Sequence, residues 1–152
     1  MSTDISAATP ISFTPPPDTD HGTTVGVARV LVVDDEVGMR ALSCAIIGSM
    51  GFQSIAVNTG EEAIEVFKAQ QAKQEPISAV VMDLALPGGM SGLETTDHLR
   101  EIDPRVLVIA SSGYLQQNAR AAAIERGFAG ILPKPYTPER LIAELRWVLT
   151  RK

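Results

Sequence analysis

From Arg29 onward the chain alternates short apolar runs with longer stretches in which apolar residues recur every three or four positions. Val30-Leu31-Val32-Val33 is β-branched and unbroken, the pattern of a strand covered on both faces. Similar runs at 54–57, 79–82, 106–110 and 130–132 predict four more strands. The windows 37–50, 60–73, 91–102 and 115–126 between them each hold one helix. A fifth helix follows Thr137-Pro138, a cap residue with proline in the first helical position. Its apolar residues Leu141, Ile142, Leu145, Val148 and Leu149 form one stripe to bury. Gly51 and Gly127 stand where helix C-terminal caps belong. Strands alternating with helices imply a doubly wound α/β fold around a five-stranded parallel sheet, with helices on both faces. In such sheets ligands bind at the carboxyl ends of the strands.

The polar residues at those ends are therefore the candidates for chemistry. The first strand ends in Asp34-Asp35-Glu36, the third in Asp83, the fourth in Ser111-Ser112, and the fifth leads into Lys134-Pro135. Carboxylates crowded together ionise poorly unless a cation sits among them. A hard divalent ion with oxygen ligands, such as Mg²⁺, resolves that conflict and leaves coordination positions open for a phosphate oxygen. Lys134 supplies a second positive charge and the Ser111 hydroxyl a hydrogen bond to a transferred group. Such a set suits phosphoryl transfer, where positioning and charge neutralisation do most of the work. Each residue alone is ordinary: an Asp-Asp pair after a strand is commonly a cap or a solvated loop, and Lys134 alone is a surface charge. The weight lies in four strand ends presenting what one reaction needs.

Composition narrows the classes further. The 152 residues carry thirteen basic and eighteen acidic side chains, a formal charge of -5. That balance argues against nucleic acid as a partner, since phosphate backbones call for a basic footprint. The single cysteine, Cys44, cannot close an internal disulfide and is expected to be a small core residue in a reducing, cytoplasmic setting. No run approaches the ~18 apolar residues of a membrane helix, and no secretory signal is visible. Residues 1–28 hold Pro10, Pro15, Pro16 and Pro17 and no Lys or Arg, and are expected to form a disordered tail before a domain at 29–152. His98 has no second His or Cys at ligand spacing and His21 lies in the tail, so neither is a metal candidate. Trp147 falls off the apolar stripe of the last helix, beside Arg140, Glu144 and Arg151, as a helix-surface cover or an interface anchor.

The segments Val-Leu-Val-Val-Asp-Asp-Glu (30–36), Val-Met-Asp-Leu-Ala-Leu-Pro-Gly (81–88), Ala-Ser-Ser-Gly (110–113) and Leu-Pro-Lys-Pro-Tyr (132–136) resemble, in order and spacing, the receiver domains of two-component response regulators. The resemblance covers residues 29–150, implying the flavodoxin-like (βα)5 receiver fold. It implies that Asp83 is the phosphoacceptor, attacking the phosphorus of a partner's phosphohistidine. It also implies that Asp35, Asp83 and the carbonyl of Ala85 bind Mg²⁺, with Asp34 acting through a coordinated water. Ser111 and Lys134 would grip phosphoryl oxygens, and movement of Ser111 would relay the signal to the surface around the fourth helix and the fifth strand and helix. The peptide before Pro135 is expected to be cis, the bond type where that form costs little.

The chain departs from that pattern in two places. Ile131 stands where well-studied receivers carry a rotating aromatic side chain, which puts the usual hydroxyl–tyrosine coupling in doubt; Tyr114 or Tyr136 are candidates to take its place. The loop Pro87-Gly88-Gly89-Met90-Ser91-Gly92 is one residue longer than the commonest form, and with residues 127–136 it looks like receivers attached to hybrid histidine kinases. Ala85 and Gly113 beside the site are small, so water should reach an acyl phosphate easily and shorten its lifetime. The expected partner is a sensor or hybrid histidine kinase or a histidine phosphotransfer protein. The expected protein is a monomer or phosphorylation-dependent dimer, not a turnover enzyme, and has no room for an output domain after the last helix. The runner-up is a pseudo-receiver that binds partners without phosphorylation. A flavodoxin-like binder would need a Gly-rich phosphate loop after the first strand, where the acidic residues stand. An aspartate-nucleophile phosphatase would need Asp-x-Asp there, whereas Asp34 and Asp35 adjoin.

Overall fold

A computed structural model of the chain describes residues 27–113 and 119–150. Its elements run in strict alternation: β1 Arg29–Val33, α1 Val37–Ser49, β2 Gln53–Val57, α2 Gly60–Ala72, β3 Ala79–Asp83, α3 Gly92–Ile102, β4 Val108–Ser112, α4 Ala119–Glu125, β5 Gly130–Pro133 and α5 Pro138–Thr150. The strands form one sheet in the order β2-β1-β3-β4-β5, every pair parallel. This is the doubly wound arrangement expected from the alternation, in the flavodoxin-like form that the resemblance implied.

Two apolar layers explain why the strand sequences are nearly continuous in hydrophobicity. On one face Leu31, Val33, Val80, Met82, Val108 and Ala110 pack with Ala63 and Phe67 of α2, Leu99 of α3 and Ala123 of α4. On the other, Val30, Val32, Val81, Ile109 and Leu132 pack with Ile46 and Ile47 of α1 and Leu141, Leu145 and Val148 of α5. Successive residues of one strand feed opposite layers, so the middle positions of β1, β3 and β4 are apolar on both sides. The α5 stripe is buried as expected. In α1 the phase differs by one residue: Ser43 is fully buried, whereas Cys44, expected in the core, is only half-buried. The α1 pattern has apolar residues on both sides of this pair, so hydropathy alone did not fix which one faces inward.

Helix starts follow local chemistry. Thr59 accepts from Glu62 N at 3.1 Å, and Ser91 forms a reciprocal capping box with Glu94, each worth about 1 kcal/mol. The Thr137 hydroxyl accepts from Arg140 N at 3.1 Å, which starts α5 as read from Thr-Pro. Gly51 and Gly127, at φ of 84° and 90°, end α1 and α4. The fourth strand is the main shift in boundary. Val106, expected within it, bonds through its N–H to Asp103 O at 3.0 Å, closing a turn. The strand starts at Val108 instead and carries Ser111 and Ser112 within it. Of the helix expected at 115–126, α4 covers 119–125; residues 114–118, with Tyr114, lie outside the described residues, as does the expected tail up to residue 26.

One close approach places the site. A Cβ on Gly92 would collide with the carbonyl oxygen of Asp83 and lie 2.8 Å from Leu84 Cα, so α3 starts directly against the end of β3. Gly92→Ala should push the first turn of α3 off that backbone and lower the unfolding free energy by about 1–3 kcal/mol in urea titrations. An unchanged midpoint would contradict this packing.

Candidate functional site

The carboxyl ends of β1, β3, β4 and β5 meet at one edge, locked together by backbone bonds just beyond the ladders. Leu84 N donates to Ser111 O at 2.9 Å, and Lys134 N to Ser112 O at 3.0 Å. Asp83 pairs with Ser111 in register across β3 and β4. The peptide between Lys134 and Pro135 is cis.

The side chains at this edge form a compact ionic cluster. Lys134 Nζ lies 2.9 Å from Asp34 Oδ2 and 3.1 Å from Asp83 Oδ2, with Glu36 more distant at 3.8 Å. The remaining oxygens are held by the backbone: Glu36 N donates to Asp34 Oδ1 and Ala85 N to Asp83 Oδ1, both at 2.9 Å. Arg40 of α1 donates to the Asp34 carbonyl at 2.8 Å. Asp34 and Asp83 are only 4% and 2% exposed, whereas Asp35 faces solvent. Carboxylate oxygens of Asp34, Asp35 and Asp83 nonetheless lie within 4.8 Å of one another. Three hard oxygen donors that close, one of them open to water, fit a hard divalent cation such as Mg²⁺.

Burial raises the Asp34 carboxyl above its ordinary value, more than the Glu36 N–H and the Lys134 ammonium lower it. Burial works against the charge on Lys134, yet its bonds to Asp34 and Asp83 outweigh that and raise it as well. Lys134 thus stays fully charged while Asp34 is ionised only at a cost. The Ser111 hydroxyl is buried with no hydrogen-bond partner among the described residues. Buried polar groups are rarely left without a partner, which marks Ser111 beside Asp83 as a candidate contact for a ligand oxygen.

All six residues picked from the sequence sit at this edge, including Ala85, whose N–H orients Asp83. Ala85 and Gly113 are exposed, and a Cβ at Gly113 would meet nothing within 4 Å. Tyr136 is buried, its hydroxyl 2.7 Å from Ser43 Oγ, which ties the turn after Lys134 to α1. His98 lies on α3, 3.8 Å from Glu101. Glu144, expected on the solvated side of α5, is instead 3% exposed and bonded to Arg120. The signals that could have found it are Gly130, which leaves it space, and Arg140 one turn before it.

An open parallel sheet with an acidic triad, a buried hydroxyl and a lysine at its carboxyl edge is the arrangement that the resemblance to receiver domains implied. The family described as response regulator receiver domain matches residues 30–146, and the chain belongs to it. The chemotaxis protein CheY of Thermotoga maritima is 32% identical over 121 residues, 79% of this chain and 96% of that protein. The autoinducer 1 sensor kinase/phosphatase LuxN of Vibrio campbellii is 32% identical over 108 residues, 71% of this chain but 12% of LuxN. The phosphate regulon regulator PhoB of Escherichia coli is 28% identical, and the chain spans 52% of it. Among solved structures, Vibrio cholerae CheY4 superposes with a TM-score of 0.70 at 25% identity, over 82% of this chain and all of that one. NtrX of Brucella abortus gives a TM-score of 0.71 at 28% identity over 82% of this chain and 27% of that one. No helix among the described residues is long and apolar enough to cross a membrane.

The direction of the Asp34 shift sets a pH dependence. Between 3.8 and its raised value the native chain binds more protons at this group than the unfolded chain does. Its contribution to stability is full below 3.8 and is lost as the pH rises through the raised value. Asp34→Asn should therefore be more stable than wild type at pH 7 in metal-free buffer, with the difference fading toward pH 4. Urea unfolding at a series of pH values checks this, and a variant less stable at pH 7 would contradict it.

Proposed function

We propose that the protein is a phosphoacceptor receiver whose Asp83 takes a phosphoryl group from the phosphohistidine of a sensor or hybrid histidine kinase, or of a histidine phosphotransfer protein. An Asp83 oxygen attacks phosphorus, an acyl phosphate P–O bond forms and the P–N bond to the histidine breaks. The observation that carries this reading is the ion cluster: one ammonium, Lys134 Nζ, shared between buried Asp34 and Asp83 at 2.9 and 3.1 Å. Two buried carboxylates and one lysine leave the cluster short of positive charge, the condition a divalent cation relieves.

In this reading Asp34, Asp35, Asp83 and the carbonyl of Ala85 hold Mg²⁺, directly or through water. The ion supplies neutralisation of the phosphoryl oxygens during transfer. Ala85 N–H keeps the Asp83 carboxylate oriented. Lys134 moves its contact from the carboxylate toward an arriving phosphoryl oxygen, and the Ser111 hydroxyl donates to another. The protein catalyses its own phosphorylation and dephosphorylation and turns over no separate substrate. Its output is a protein contact or onward phosphoryl transfer, in the cytoplasm, as a monomer or a phosphorylation-dependent dimer.

Intact mass after incubation with Mg²⁺ and a small acyl phosphate tests this directly. Wild type should gain one phosphoryl group, lose the gain when Mg²⁺ is chelated, and Asp83→Asn should gain none. No gain in wild type, with a phosphohistidine donor tried as well, would point to a pseudo-receiver. In the same time course, Ala85→Asn and Gly113→Arg should lengthen the phosphorylated lifetime several-fold by shielding the acyl phosphate from water; unchanged decay would show that other groups close the site.

A further inference from the structure

Among the described residues, a cleft of about 330 Å³ lies between α3 and the turn that leads from α4 into β5. It shares no residue with the acidic cluster at the carboxyl edge. Leu93, Thr96, Asp97 and Arg100 line it from α3, a spacing of three and four that sets them on one face of the helix. Arg126 and Phe128 line it from the other side. Its volume is at the lower end of those that hold a small molecule.

Two guanidinium groups meet at this cleft with their hydrogen bonding unmet. Arg100 Nη2 is buried without a partner among the described residues, and Nη1 has only a loose contact with Asp97 at 3.8 Å. The group is held in place by packing instead. Its Cζ lies over the Phe128 ring, 5.2 Å from the centroid. Gly127, at φ 90°, closes on its other side: a Cβ there would stand 3.0 Å from Nη2, so the turn packs against the group and brings no side-chain acceptor. Arg126 forms no hydrogen bond or ion pair among the described residues. Buried donors on a charged group are rarely left unpaired, because the desolvation cost goes unreturned. Their presence here marks a place where an acceptor is missing.

Charge and lining identify the acceptor. Two arginines and Asp97 leave the cleft with one net positive charge, on a chain whose formal charge is -5. One negative charge balances it, and the planar fork of a guanidinium matches the two oxygens of a carboxylate. Leu93, 41% exposed, and Phe128 supply an apolar wall beside that charge. We propose that this cleft binds a small monocarboxylate with a compact apolar body, its carboxylate paired with Arg100 and Arg126 and its body against Leu93 and Phe128. Asp97, with its side chain 75% exposed, turns to water as the carboxylate enters. The site is independent of the receiver reading and of phosphorylation at Asp83.

The experiment titrates the ¹⁵N-labelled full chain with benzoate in metal-free buffer and follows its NMR spectrum, with benzamide as the neutral isostere. Benzoate should give saturable shifts at the backbone N–H groups of Gly127 and Phe128 and at Arg100 Nε–H, leaving those of Asp83 and Lys134 in place. Benzamide, which lacks the charge, should bind about tenfold more weakly. Arg100→Gln and Arg126→Gln should each weaken benzoate by a similar factor, and Asp97→Asn, which removes the competing carboxylate, should tighten it several-fold. No saturable shift, benzamide binding as well as benzoate, or Arg126→Gln binding as wild type would overturn the proposal. Shifts confined to Asp83 and Lys134 would overturn it as well, by placing the anion at the ionic cluster. Tighter binding of phenyl phosphate than of benzoate would overturn the assignment to a monocarboxylate. Should Arg100→Gln fail to fold, the variants at the exposed Arg126 and Asp97 still decide the matter.

Discussion

One ammonium between two buried carboxylates governs this molecule. Asp34 and Asp83 come from β1 and β3, neighbours in the sheet, and Lys134 reaches them from β5, two strands beyond Asp83. Taking carboxylates out of water costs several kcal/mol each even after relaxation, and a single ion pair seldom returns all of it. Here the backbone contributes as well, through the N–H groups of Glu36 and Ala85. The raised pKa of Asp34 shows that the compensation is incomplete. The incomplete pairing leaves the edge short of positive charge, the condition a further cation would relieve.

The rest of the fold serves that edge. Parallel strands point every carboxyl end the same way, and α/β crossovers bury both faces, so the polar side chains of the central strands gather at their carboxyl ends. Gly92 brings α3 tightly under the backbone of Asp83. Ser111 lies beside Asp83 in register, buried and without a partner among the described residues. Tyr136 anchors the turn after Lys134 to Ser43 of α1, so the segment that carries the lysine is tied to a fixed helix.

Much of this was legible in the sequence, for identifiable reasons. Strands buried on both faces leave continuous apolar runs, and Thr137 caps the last helix through a local bond, so both signals are short-range. The site was legible because each strand end announces its polar residue and the parallel topology does the gathering. What escaped notice depends on long-range contacts. Glu144 looks like a solvated charge until Arg120, 24 residues away, and the missing side chain at Gly130 are seen against it. Ser43 and Cys44 are similar in size, and the buried one, Ser43, meets the Tyr136 hydroxyl from 93 residues away, a contact that local hydropathy does not carry. The fourth strand started later than its hydropathy implied because Val106 is held in a turn by Asp103.

The central claim is that the phosphoryl group resides on Asp83 and not on the neighbouring Asp34 or Asp35. Borohydride reduces an acyl phosphate to an alcohol, converting the acceptor aspartate to homoserine and leaving other carboxylates untouched. Peptide mass mapping of the reduced, phosphorylated protein should find homoserine at position 83 alone. Homoserine at 34 or 35, or a phosphorylated protein with none at 83, would contradict the account.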